Sequence, residues 1–268
     1  MSDGRSYAPE KGGGIRRITA SAIARRKGRT IFPVVTAYDA PFGEFAERAG
    51  IDVILVGDSL GNVVLGYDET TPVTMQDMLH HTKAVCRGTT RAHIMADLPF
   101  GSYQASDEDA IRNAVALVKA GASSVKLEGG EQAAERVRAI VGTGIPAVGH
   151  IGVTPQTAGL GPGYKVRENR EQLIADARAV EAAGAYAIVL EVIDHEVARE
   201  ITASLKIPTI GIGAGPACDA QVLVLYDVLG VYPNPPSFVK RYASIGEDTV
   251  RALRAYAEDV AERRFPTG

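Results

Sequence analysis

The sequence predicts an α/β fold, a single (β/α)8 TIM barrel with an N-terminal helix and a C-terminal helical extension. Three observations point there. Eight short apolar runs recur along the chain, most of them rich in Val, Ile and Leu without polar alternation, as strands covered on both faces are. Segments with helical periodicity separate them. The length of 268 residues matches the roughly 250 that one such barrel uses, and no shift in composition marks a second domain.

Residues 1–14 are rich in Gly, Ser and charge and end in Lys11-Gly12-Gly13-Gly14. They predict a flexible tail, which leaves 15–268 for the barrel domain. Thr19 to Lys27 predicts a short helix, with Arg25, Arg26 and Lys27 at the end where a helix dipole favours cations. The apolar runs are 31–36, 53–56, 93–96, 124–127, 147–149, 187–190, 209–211 and 222–225. The last has polar flanks in Asp219, Gln221 and Asp227, so a helix is its other reading.

Between the runs, Thr74 to Asp77 and Ser106 to Asp109 resemble capping boxes with Asp in place of Glu. After the first, Met75, Met78, Leu79, Thr82, Val85 and Cys86 fall on one helical face. Gly121 and Gly184 stand where helices should end. Residues 170–183 and 247–264 predict further helices, the second covering the outside.

Lys and Arg number 29 against 32 Asp and Glu, a net charge of −3. That balance argues against nucleic acid, whose phosphates demand a basic surface. Two cysteines, Cys86 and Cys218, cannot build a disulfide framework and point to a reducing cytoplasm. No apolar run reaches the roughly 20 residues that span a bilayer, and the first residues read as no signal segment. The expectation is a cytoplasmic protein with no membrane partner.

The functional signal is positional, because barrel enzymes place their chemistry at the C-terminal ends of the strands. Those ends carry Asp58 and Ser59, Asp97, Lys126 and Glu128, His150, and Glu191. Four acids converging on one mouth with one lysine need a cation. Carboxylates without a Cys or His cluster favour a hard ion, and Mg2+ fits best. Zinc fits poorly, since His195-Glu196 is followed by Arg199 where a zincin motif needs His.

Other motifs compete. Gly57-Asp58-Ser59-Leu60-Gly61 matches a nucleophile elbow, with His150 as the one histidine on a strand end to serve it. Ser59 reads better as a substrate-binding hydroxyl. Gly211-Ile212-Gly213-Ala214-Gly215-Pro216 reads equally as a tight turn or as a ligand contact. His80-His81 lies in a helix with at least one ring toward solvent. Tyr38 could line the mouth, and Asp39 reads as a turn or cap.

Several strings then occur in one order: Val56-Gly57-Asp58-Ser59-Leu60-Gly61, Ala96-Asp97-Leu98-Pro99-Phe100, Val125-Lys126-Leu127-Glu128-Gly129-Gly130 and His150-Ile151-Gly152-Val153-Thr154-Pro155-Gln156, then Val189-Leu190-Glu191 and Ile210-Gly211-Ile212-Gly213-Ala214-Gly215. From about Thr19 onward the chain resembles the ketopantoate hydroxymethyltransferases. The resemblance implies a (β/α)8 barrel, Mg2+, a cytoplasmic location and a homo-oligomer, commonly a homodecamer. It implies transfer of a one-carbon unit from 5,10-methylenetetrahydrofolate, the co-substrate, to a small 2-oxo acid, 3-methyl-2-oxobutanoate. By motif, Asp58, Asp97 and Glu128 would be metal residues. Ser59 and Lys126 would hold the oxo acid together with Asp58 and Asp97, His150 would line the site, and Glu191 would accept the proton.

The chain departs from the family pattern between Gly159 and Asn169. Gly159 stands for an Asn, Pro162 for a Gly, and Tyr164-Lys165-Val166 runs into Arg167-Glu168-Asn169 in a loop that looks short. After Glu191 comes Ile193-Asp194 where Val-Pro is usual. The alternatives are a paralogue acting on a different 2-oxo acid, or a Mg2+-dependent C–C lyase of the related barrel superfamily.

Overall fold

Eight parallel strands close into a barrel in chain order in the computed structural model, which describes residues 17–160 and 165–267. They are β1 Phe32–Thr36, β2 Val53–Val56, β3 His93–Asp97, β4 Ser124–Glu128, β5 Ala147–Gly152, β6 Ala187–Glu191, β7 Thr209–Ile212 and β8 Ala220–Leu223. The expected tail 1–14 lies outside the described residues, as do Pro162 and Tyr164.

Alternate residues of each strand share a face. One face supplies a continuous apolar cluster: Phe32, Val34, Val53, Leu55, Met95, Val148, Ala187, Val189, Ile210, Ala220 and Val222. Ile23, from the helix Ala20–Ala24, packs into the same cluster. Two residues beyond Met95, Val148 and Val189 on that face come Asp97, His150 and Glu191. The period of two therefore carries the apolar filling directly into the polar mouth.

At the other end of the strands the filling is also polar. His93 Nε2 lies 2.8 Å from Ser124 Oγ and 2.9 Å from the Tyr186 hydroxyl, and its Nδ1 lies 2.9 Å from the Ile18 carbonyl. Burial pushes the His93 imidazole down to about 4, so the ring is neutral. Nδ1 then carries the hydrogen for Ile18, and Nε2 accepts.

The helices follow their sequence signals. Thr74 and Asp77 form the full reciprocal capping box, while Ser106 caps only the Asp109 N–H. Met78, Thr82 and Val85 are buried, with Met75, Leu79 and Cys86 half-buried beside them. Asp39 caps the helix Ala40–Arg48. Gly121 and Gly184 follow their helices at φ +112 and +99, where a Cβ would be strained.

Strand eight begins two residues earlier than its apolar run. Its polar residues are satisfied within the fold: Gln221 Nε2 donates to the Gly215 carbonyl, and Asp219 accepts from the Thr209 N–H. The end of the run, from Leu225, becomes the short helix Leu225–Leu229.

Of the described residues, those up to Val222 form one compact unit and those from Leu223 a second. The second holds Leu225–Leu229 and the helix Ile245–Ala261, none of whose residues is buried. Among the described residues no helix is long and apolar enough to cross a membrane.

Candidate active site

Strand register sets the site. Asp97 of β3 stands beside Lys126 of β4, Glu128 of β4 beside His150 of β5, and Gly152 of β5 beside Glu191 of β6. Asp97, Glu128 and Glu191 are the last residues of their strands, His150 lies within β5, and Asp58 follows β2 by two residues. All the expected ionisable groups therefore share one mouth.

The pairs across these strands are tight. Lys126 Nζ lies 3.0 Å from Asp97 Oδ1, both side chains almost fully buried. His150 Nδ1 lies 3.3 Å from Glu128 Oε1 and its Nε2 3.1 Å from Glu191 Oε2. The Asp58 N–H donates to Asp97 Oδ2 at 3.0 Å, an approach made beside the bare Cα of Gly57. Glu191 is the least buried acid of the set and keeps access to the mouth.

Charge is unbalanced here. Burial, then the nearby charges of Asp97 and Glu128, push the Asp58 carboxyl well above the usual range. Burial also raises Asp97, with Lys126 opposing. Burial works against the Lys126 charge, but Asp97, Glu128 and Asp58 outweigh it and hold the ammonium more firmly than usual. Burial and Lys126 both oppose a second proton on His150. Glu128 and Glu191 overcome them and push it up to about 9.

A model of the ketopantoate hydroxymethyltransferase family matches residues 17–268. The chain belongs to that family. The 3-methyl-2-oxobutanoate hydroxymethyltransferase of Ignicoccus hospitalis is 49% identical over 94% of this chain and 98% of its own. That of Moorella thermoacetica is 54% identical over 93% and 96%, and that of Carboxydothermus hydrogenoformans 52% over 93% of each. Among solved structures, a phosphonopyruvate hydrolase complex with oxalate and Mg++ superposes with a TM-score of 0.62 at 15% identity, covering 91% of this chain and 88% of that one. A 2,3-dimethylmalate lyase of the PEP mutase/isocitrate lyase superfamily gives 0.60 at 18%, over 94% and 90%. At these identities the likeness shows the barrel alone. The family match favours the hydroxymethyltransferase reading over the lyase and the altered-substrate paralogue.

For a member of this family the competing motifs resolve by geometry. Ser59 Oγ lies 2.9 Å from the Tyr38 hydroxyl, while both nitrogens of His150 face carboxylates, so no Ser–His pair forms. Tyr38 does reach the mouth side of β1 through that contact. His195 and Glu196 are exposed, and Glu196 pairs with Arg199. His80 is exposed, and His81 Nδ1 meets the Tyr38 carbonyl at 2.6 Å. In the glycine string Gly213 and Gly215 adopt φ +61 and +79, and a Cβ on Gly215 would sit 2.7 Å from the His195 ring. The tight-turn reading accounts for both.

Two buried residues of the site escaped the positional argument. Gln156 Nε2 donates to Asp58 Oδ2 at 2.7 Å and to the Leu98 carbonyl at 2.9 Å. Its backbone N–H donates to Glu128 Oε2 at 3.1 Å. The Tyr103 hydroxyl accepts from the Glu128 N–H at 3.1 Å and stands 2.9 Å from Gln156 Oε1. Neither sits on a strand end. Gln156 was visible only as the last letter of a family string.

The residues fit a hard divalent cation. Three buried carboxylates face one lysine, and Asp97 Oδ1 and Glu128 Oε1 accept no well-directed hydrogen bond, their contacts being ion pairs. Among the described residues no three His, Cys, Asp or Glu side chains stand ready to enclose a metal by themselves. Mg2+ does not require this, since it takes one or two carboxylates and completes its shell with water and substrate oxygens.

Proposed function

We propose that this chain transfers a hydroxymethyl group from 5,10-methylenetetrahydrofolate to 3-methyl-2-oxobutanoate, forming ketopantoate for pantothenate biosynthesis. The observation that carries the reading is the meeting of three buried carboxylates, one lysine and a more accessible Glu191 at one barrel mouth of a member of this family.

Asp58, Asp97 and Glu128 would hold Mg2+, which when bound supplies Lewis acidity toward the carboxylate and keto oxygens of a 2-oxo acid. Lys126 places a fixed positive charge where the keto oxygen gains negative charge. Ser59 offers a hydroxyl to the substrate, beside Asp58 and Asp97. Glu191 takes the proton from C3, its carboxylate steadied by His150. The C3–H bond breaks, and its electron pair attacks the folate methylene. A C–C bond forms, both C–N bonds of the methylene break, one water supplies the hydroxyl oxygen and one hydrogen, and the two folate nitrogens take up the C3 proton and the other hydrogen of that water. Proton transfer of this kind contributes about 10²–10⁴-fold in rate.

We also read residues 15–268 as one catalytic domain of a cytoplasmic homo-oligomer. The free thiols of Cys86 and Cys218 support the compartment. The exposed Val250, Leu253, Tyr256 and Val260 of one helix support assembly. Light scattering after gel filtration tests the oligomer, and a homodecamer is the expected size.

The test of the reaction is incubation with Mg2+ and both substrates, with ketopantoate read by mass. A parallel sample in D2O follows the C3 hydrogen, with and without chelator. Product, with chelator-sensitive exchange, is expected. Absence of both product and exchange would overturn the reading.

A further inference from the structure

We propose that Gln156 is a positioning residue that couples two of the carboxylates, Asp58 and Glu128, and fixes both in place beside the divalent cation. The inference rests on the metal reading above.

The three buried acids share a pattern. Each has one oxygen engaged by a neutral N–H donor: Asp97 Oδ2 by the Asp58 backbone, Asp58 Oδ2 by the Gln156 side chain and Glu128 Oε2 by the Gln156 backbone. Gln156 supplies two of these three donors. A neutral donor fixes a carboxylate without neutralising it, so the acid keeps its charge for a metal. An ammonium or guanidinium in the same place would compete with the cation.

The direction of the amide is determined by its surroundings. Its Nε2 faces two acceptors, Asp58 Oδ2 and the Leu98 carbonyl. Its Oε1 faces the Tyr103 hydroxyl at 2.9 Å and Gln104 Nε2 at 3.4 Å. A flipped amide would set its oxygen against a carboxylate and a carbonyl. The Tyr103 hydroxyl accepts from the Glu128 N–H and has a single hydrogen to share between Gln156 Oε1 and the Glu128 carbonyl. Gln156 is only 2% exposed, so water does not replace these bonds. Asp58 follows strand two and Glu128 ends strand four, and a single residue of the short helix Pro155–Ala158, beyond strand five, holds both.

The test is Gln156→Met, which keeps the volume and the backbone donor but removes the donor to Asp58. Mn2+ serves as the probe, titrated by electron paramagnetic resonance on the full chain without substrates. The variant is expected to bind Mn2+ about 10–100-fold more weakly. The metal activation constant should rise in step, while kcat returns at saturating metal. A purely structural role would lower kcat at every metal concentration and leave the activation constant unmoved. An unchanged Mn2+ affinity in a folded Gln156→Met overturns the proposal. Should that variant fail to fold, Tyr103→Phe keeps the amide and removes its hydroxyl partner. It is expected to weaken Mn2+ by about fivefold, and an unchanged affinity there overturns the proposal equally. If the wild-type chain binds no Mn2+, the metal reading fails and the coupling with it. If wild type binds and the variants match it, the coupling alone fails.

Discussion

His150 Nε2 lies 3.1 Å from Glu191 Oε2 while the other nitrogen of the same ring lies 3.3 Å from Glu128 Oε1. One imidazole thus bridges a carboxylate proposed to hold the metal and the carboxylate proposed to take the proton. The two acids need different surroundings, one buried among charges and one open to substrate, and the ring spans that boundary.

Glu191→Gln removes the proton acceptor and keeps the shape. The expected kcat falls by about 10²–10⁴-fold. Exchange of the substrate C3 hydrogen in D2O, followed by NMR, should stop, with oxo-acid binding retained. Exchange at the wild-type rate would place the base elsewhere.

Metal removal should be visible in stability as well as rate. A ligand at 100 times its Kd stabilises the native state by about 2.7 kcal/mol. Urea unfolding in Mg2+ against chelator should show a gain of that order. Asp97→Asn should shrink it. The same variant leaves Lys126 with a weaker partner, so its midpoint without metal should also fall.

The opposite end of the strands predicts a pH effect unconnected with catalysis. Burial lowers His93 from 6.5 to about 4. The folded chain therefore resists a proton that the unfolded chain accepts. Its contribution is complete above pH 6.5 and declines as the pH falls toward 4, by about 3 kcal/mol in all. Urea midpoints of wild type and His93→Gln compared across this range should converge at the acid end.

Gly152 predicts a backbone effect on the base. Its φ is +98, and a Cβ there would lie 2.2 Å from the Glu191 carbonyl oxygen. Gly152→Ala combines a strained dihedral with a clash against main chain, so a loss of about 2–4 kcal/mol is expected. The Glu191 carbonyl also accepts the Val153 N–H, so kcat should drop in whatever fraction stays folded. Calorimetry and single-turnover rates separate the two.

The barrel was legible because buried parallel strands leave unmistakable Val/Ile/Leu runs, and the acids were legible because they close those runs. Seven of the runs begin within one residue of a strand. The eighth slid because Gln221 and Asp219 find partners in the fold that no local pattern announces. Gln156 and Tyr103 stayed hidden for a related reason. Their meaning lies in bonds to residues far off in sequence, such as Asp58, 98 positions away. The elbow around Ser59 is a match of local spacing alone, and the histidine it would need is turned toward Glu128 and Glu191.

The neutral cluster of His93, Ser124 and Tyr186 sits at the start of the strands, and the chemistry sits at their ends. The acid sensitivity carried by His93 thus lies in a different layer of the cylinder from the chemistry. An engineer could harden the base against heat or acid, replacing His93 and its partners together, without disturbing the carboxylates above.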